Sequence, residues 1–268
     1  MAIEIHGALW DGEKTEAHLS VSRVTADEFA RLLAASVEVL VFTAGSTSRA
    51  ASDLAWVNGL PCVTTLSFEE GAECPDLSRV DPARRSRVLI WENLPAMVSR
   101  GELEGTESAL FAYADSVAGG VVGLPTVRRL EVGHLDGTST AGDRCSQLTH
   151  LKLRGRRRPV AMNWENPPRA LVDLQVDDMQ LASVDALASL THLQRVVQGP
   201  TGQRAVRSIE LDVSPLVECP ELVWLDMATG WPIRGLDALM ERLPGLRARV
   251  AAGRHDGNPA SSRLTIVA

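Results

Sequence analysis

Near-constant spacing between copies of one apolar pattern constrains this chain more than any other feature. The unit is an apolar residue, two others, an apolar residue, two others, then apolar-x-apolar. It reads Leu60-Pro-Cys-Val63-Thr-Thr-Leu66-Ser-Phe68, Leu124-Pro-Thr-Val127-Arg-Arg-Leu130-Glu-Val132 and Cys145-Ser-Gln-Leu148-Thr-His-Leu151-Lys-Leu153. It returns as Pro168-Arg-Ala-Leu171-Val-Asp-Leu174-Gln-Val176 and Cys219-Pro-Glu-Leu222-Val-Trp-Leu225-Asp-Met227, with weaker copies from Val37, Arg85, Leu193 and Leu246. With Val63, Arg85, Val127, Leu148, Leu171, Leu193, Leu222 and Leu246 as equivalents, the steps are 22, 42, 21, 23, 22, 29 and 24 residues. A fixed period of this length marks a stack of small units, none of which can bury its apolar face alone.

The apolar-x-apolar triplet has the period of a short strand, with side chains alternating between two faces. Inward residues of one unit would form a ladder with those of the next, so the strands run parallel with a crossover in every unit. The second halves carry helical spacing, at Val184, Leu187 and Leu190 and at Ile233, Leu236, Leu239 and Leu243. Pro61, Pro125, Pro220 and Pro244 follow the same core position, where a helix cannot continue. Cys145 and Cys219 share the core slot of Leu60, Leu124 and Leu243, and a buried cysteine packs as a small hydrophobe.

The pattern resembles the leucine-rich-repeat family, whose unit is Leu-x-x-Leu-x-Leu-x-x-Asn/Cys-x-Leu. The resemblance spans residues 37–250 and is closest from Leu171 to Leu190. It departs at the ninth position. Asn93 supplies the family's asparagine, while Gly45, Gly71, Leu135 and Met179 stand elsewhere. The resemblance implies an α/β solenoid of the irregular, bacterial type, with a parallel concave sheet and convex helices. Residues 1–36 read as an N-terminal cap: a hairpin around Asp11-Gly12, then a helix opened by the capping box Thr25-Ala-Asp-Glu28. Residues 37–252 read as eight to nine units and residues 253–268 as a C-terminal cap with a closing strand at Leu264-Thr-Ile266, all in one domain. Two units break step. Residues 94–123 hold either an enlarged helix, with a helix-like run at Ser108–Val117, or a disguised extra repeat; residues 198–208 lengthen another unit.

Aromatic residues make up 4% of the chain, so the core is built from aliphatic side chains. The formal charge of −7 argues against general nucleic-acid binding, which needs a basic footprint. No basic n-region precedes an apolar run at the start, and no stretch approaches the roughly 20 apolar residues of a membrane span. The expectation is a cytoplasmic protein with no membrane partner. Four cysteines form no Cys-x-x-Cys pair and no familiar catalytic or nucleotide-binding motif is present, so no metal or cofactor is expected. The sequence sets no oligomeric state.

The resemblance places a stripe of side chains on the concave face: Thr65, Ser67 and Glu69; Arg87, Leu89 and Trp91; Arg129, Glu131 and His134; His150, Lys152 and Arg154. Asp173, Gln175 and Asp177, then Arg195, then Trp224 and Asp226 continue it. Two readings follow. Tryptophan and arginine are typical of interface hot spots, which favours a surface that binds a protein or peptide. Charges of both signs are equally what a solvated sheet face carries when they pair across strands. His134, His150, Asp173 and Glu131 are the candidates if the chain is instead an enzyme or small-molecule binder, since histidine beside carboxylate suits acid–base work. The leading expectation is an intracellular binding module, a class that includes regulators and immunity-type inhibitors. Two loop features stay open. The run Arg154-Gly-Arg156-Arg157-Arg158 is an anion contact or a solvated loop, and Trp164 touches a partner or pins its loop.

Overall fold

Each coil opens on the same backbone turn. The N–H of Val63 donates to the carbonyl of Leu60, and Val127, Leu148, Leu171, Leu193, Leu222 and Leu246 repeat that bond three residues back, at 2.9–3.3 Å. Arg85 and Thr106 make it too, to Pro82 and Leu103. Pro61, Pro125, Pro220 and Pro244 are the second residue of this turn, where proline's fixed φ is already correct. The computed structural model describes residues 3–7, 14–20, 24–43, 53–69, 77–90, 103–112, 124–135, 137–155, 159–199, 209–227, 231–251 and 261–267, with backbone alone at 6, 7 and 134. It divides into two compact units, Met1–Val117 and Ala118–Ala268.

In the first unit, β1 (Ile3–Gly7) and β2 (Thr15–Leu19) form an antiparallel hairpin. Helix α1 (Ala26–Ala34) follows, and the predicted capping box is present. Glu28 accepts from the backbone and hydroxyl of Thr25, and these bonds hold its carboxyl below the usual range. Strands β3 (Val39–Phe42), β4 (Thr65–Phe68), β5 (Arg87–Ile90) and β6 (Ser108–Phe111) then add in parallel, each beside the one before. Inward residues line up as Ala17, Leu40, Leu66, Val88 and Ala109 and as Leu19, Phe42, Phe68, Ile90 and Phe111, all buried. Phe42 and Phe68 stack with ring centroids 4.9 Å apart.

Strand β6 corrects one expectation and answers another. Ser108–Phe111 is a strand, because Ala109 and Phe111 alternate inward. The 42-residue step therefore contains a hidden coil whose leucine slot is filled by Thr106, which is fully buried. Its hydroxyl donates to the carbonyl of Arg85 at 3.2 Å, satisfying a polar group inside the core. Arg85 fills the preceding slot by donating its Nε to the carbonyl of Val80.

The second unit contains, in chain order, β7 (Arg129–Leu135), β8 (Thr138–Ser139), β9 (His150–Gly155), β10 (Ala161–Met162) and β11 (Asp173–Asp177). Then come β12 (Arg195–Gln198), β13 (Leu211–Asp212), β14 (Trp224–Met227), β15 (Ile233–Arg234), β16 (Arg247–Ala251) and β17 (Leu264–Val267). Strands β7, β9, β11, β12, β14, β16 and β17 form one parallel sheet. Its ladder runs Leu130, Leu151, Leu174, Val196, Leu225, Ala248 and Leu264, so equivalent residues of successive repeats share one row.

The outer side is less helical than its spacing predicts. Val184 to Leu190 frame a three-ten helix, Asp185–Ser189, and another spans Ser214–Glu218. Helix α2 (Leu236–Arg242) is the α-helix of this unit among the described residues, and it starts from Gly235 at φ +80°. A side chain there would strain the backbone and crowd Asp212 and Ser214. Short parallel pairs, β8 with β10 and β13 with β15, cover the rest. Among the described residues the outer side is completed by a tight turn, a two-residue strand or, before β16, helix α2. Each unit is thus a leucine-rich-repeat-like solenoid, with the hairpin and helix leading into the first and β17 paired to β16 in the second.

Asn93, Gly45, Gly71, Cys74, the Asp11-Gly12 turn and the 200–208 insertion lie outside the described residues. Trp164 pins its loop: the indole N–H donates to the carbonyl of Ala141 at 2.8 Å. Among the described residues no helix is long and apolar enough to cross a membrane.

Two outcomes are expected from this packing. Leu174→Ala should cost about 2–5 kcal/mol in chemical denaturation, while Val223→Ala, at a half-exposed site, should stay within about 0.5 kcal/mol. Cys145 and Cys219 are fully buried and Cys62 is exposed. Burial pushes the Cys219 thiol up to about 11. Iodoacetamide mapping should therefore label Cys62 in the native protein, and Cys145 and Cys219 only after unfolding.

Candidate functional site

The inward residues of the second sheet are fixed by the ladder, so the residues between them face the other way. Parallel register then sets them in rows. One row is Arg129, His150, Asp173, Arg195, Trp224 and Arg247. The next holds Glu131, Lys152, Gln175, Val197, Asp226 and Arg249, and a third aligns Arg154 with Asp177. These side chains are exposed or half-buried, whereas their strand neighbours in the ladder are buried. This is the open face of the unit.

Its charges pair between coils. Lys152 Nζ lies 3.4 Å from Glu131 Oε1 and 3.6 Å from Asp177 Oδ2. Arg154 Nε lies 3.0 Å from the same Glu131 oxygen and 3.9 Å from Asp177. Gln175 Nε2 donates to both Asp177 oxygens at 3.1 Å. Further along, Arg195 Nη1 donates to both oxygens of Asp173, at 2.9 and 3.2 Å, and Arg249 Nη1 donates to Asp226 Oδ2 at 3.2 Å. Every carboxylate of these rows thus has a cation on an adjacent strand.

These contacts bear on the acid–base candidates. Glu131 lies within reach of two cations and Asp173 accepts from a guanidinium. His150 Nδ1 lies 2.9 Å from Thr149 Oγ1, the hydroxyl of the residue before it. The backbone of His134 belongs to β7, past a register shift between Val132 and Leu135; its side chain is outside the described atoms. Register makes His150 and Asp173 direct neighbours, yet the carboxylate is turned to Arg195. Among the described residues no group of three or more His, Cys, Asp or Glu is arranged to hold a metal ion.

The first unit differs. Thr65 and Ser67, expected on an open face, are only 3% and 6% exposed, and Glu16, Val39 and Val41 on the same face are buried as well. Both faces of β3 and β4 are therefore shielded from water. Arg87 and Leu89 are half-buried, and Trp91 lies outside the described residues, as do Arg156–Arg158 in the second unit.

Two arginines of the open face were not found from sequence. Arg247 and Arg249 point outward because the last coil is one residue shorter between its turn and strand. Leu222 precedes Leu225 by three positions, but Leu246 precedes Ala248 by two, and Leu225 pairs with Ala248. The apolar alternation Ala248-Arg-Val250 was the available signal; strict repetition of the period obscured it.

No family model matches the chain, and no curated protein matches it. Among solved structures it is similar to an internalin from Listeria monocytogenes. The likeness has 14% identity and a TM-score of 0.49, and covers 86% of this chain and 66% of the internalin. This chain thus spans just under two thirds of that protein's length. The solenoid assignment stands on the turns, strands and ladders themselves.

Because Glu131 and Arg154 remain partly in water, with side chains 24% and 52% exposed, their pair should be weak. A double-mutant cycle with Glu131→Gln and Arg154→Met should give a coupling below about 1 kcal/mol that shrinks with added salt.

Proposed function

We propose that the chain is a binding module that holds a protein or peptide on the open strand face of its second unit and the adjoining loops. The observation that carries this reading is Trp224. It stands half-buried in a row between Arg195 and Arg247, on a face whose carboxylates are already paired with neighbouring cations. An indole left on a polar face contributes little to the fold, while tryptophan flanked by arginine is what binding hot spots favour. A parallel sheet stacked coil by coil also presents its side chains at fixed spacing, which suits an extended partner. Arg129, Glu131, His150, Lys152, Arg154, Asp173, Asp177 and Asp226 form the surround that sets orientation and rejects wrong partners through charge. A regulator and an inhibitor that blocks another protein both fit this class.

Glu131 and Asp173 are both engaged with cations on adjacent strands, which supports binding over acid–base chemistry. Affinity capture from a native lysate with wild type and Trp224→Ala tests the reading. The variant should fold normally and lose a partner that the wild type retains, with affinity reduced at least about tenfold. Recovery of the same partners at equal strength would sink it.

A further inference from the structure

We propose that the partner presents an acidic segment to the end of the open face formed by β12, β14 and β16. This deepens the binding reading above and rests on it. The two halves of the face differ in charge. Across β7, β9 and β11 the cations Arg129, Lys152 and Arg154 stand with Glu131, Asp173 and Asp177, of which Asp173 is engaged by Arg195 of β12. Across β12, β14 and β16 three arginines, Arg195, Arg247 and Arg249, stand against Asp226 alone. This local excess of positive charge belongs to a chain of formal charge −7. A basic end on an acidic protein is a directional field: it attracts carboxylates while the rest of the molecule repels them.

The layout narrows the chemistry further. Arg195 and Arg247 flank Trp224 in one row, one strand away on either side. Strands lie about 4.8 Å apart, so the two guanidinium groups are rooted about 10 Å from one another. A polyproline-like segment rises about 9 Å over three residues and returns to the same face. Carboxylates at positions i and i+3 of such a segment, crossing the strands, would meet both arginines, with the segment's backbone passing over the indole. Arg195 already donates to Asp173 and Arg249 to Asp226, whereas Arg247 makes no ion pair among the described residues. Arginine can donate several hydrogen bonds in one plane, so the engaged pair retains capacity for an incoming carboxylate. A segment of another protein is the occupant argued here. Nucleic acid offers negative charge too, but it would face the carboxylates of β7 to β11 and the overall negative charge.

The test uses the whole chain and three fluorescein-labelled probes: a 12-residue Glu-Pro-Leu repeat, its Gln-Pro-Leu counterpart and a 12-nucleotide oligothymidylate. Binding is read by anisotropy at 50 and 150 mM NaCl. The acidic peptide should bind at least about tenfold tighter than the glutamine peptide, with the gap narrowing at the higher salt. Arg195→Glu/Arg247→Glu should erase the difference. Arg247→Gln, which breaks no described ion pair, should reduce it, and Arg242→Glu on the outer helix should leave it unchanged, with circular dichroism verifying the fold of each. Failure of the acidic peptide to bind, or tighter binding of the oligothymidylate, overturns the proposal. If both peptides bind equally and Trp224→Ala weakens both, the acidic partner is wrong and the open-face reading survives. If peptide binding responds to neither Trp224→Ala nor the arginine variants, both fall together.

Discussion

A row of aliphatic side chains, sealed between strand and outer segment and handed from coil to coil, is the constraint on which the rest depends. Leu151, Leu174, Val196 and Leu225 each pack against the coil before and after. No single coil could bury such a residue alone, and parallel strands cannot pair without a crossover. The turn that opens each coil supplies the crossover's geometry. Its carbonyl-to-N–H bond brings the chain back to the same height, and the slot residue inside it faces the core. Once ladder and turn are fixed, the remaining strand positions have no choice but to form the open face.

That division separates stability from recognition. Inward residues carry the burial term and tolerate little change. Outward residues pair in water, where such contacts contribute little to folding. Lys152, Arg154, Arg195 and Asp226 can therefore differ between related surfaces without endangering the coil beneath. The two units use this freedom differently. In the first, Glu16, Thr65 and Ser67 are withdrawn from solvent on the face that would otherwise be open. In the second, the face stays accessible, and its charges shift from balanced to basic toward β16.

The polar substitutions inside the core follow the same logic. Thr106 and Arg85 take leucine slots, and each donates to a backbone carbonyl. Removing leucine from two consecutive slots hides a repeat from any search for apolar residues. It does not alter the backbone, because the slot's geometry is set by the turn and by the strands on both sides.

By itself the sequence determined the period, the inward ladder, the capping box at Thr25 and the burial of Cys145 and Cys219, because each follows from local spacing of apolar or capping residues. It also identified most of the second unit's outward residues, since alternation along a strand is a local property. Tertiary structure alone decided the rest. It made Ser108–Phe111 a strand, where local spacing suggested a helix, because β5 offers an edge to pair with. It gave three-ten helices at Asp185–Ser189 and Ser214–Glu218 and an α-helix at Leu236–Arg242. It turned Arg247 and Arg249 outward through a one-residue slip that only pairing with β14 reveals. And it set which charges meet, because ion pairs across coils join residues about one repeat apart, a distance over which sequence order carries no information about side-chain contact.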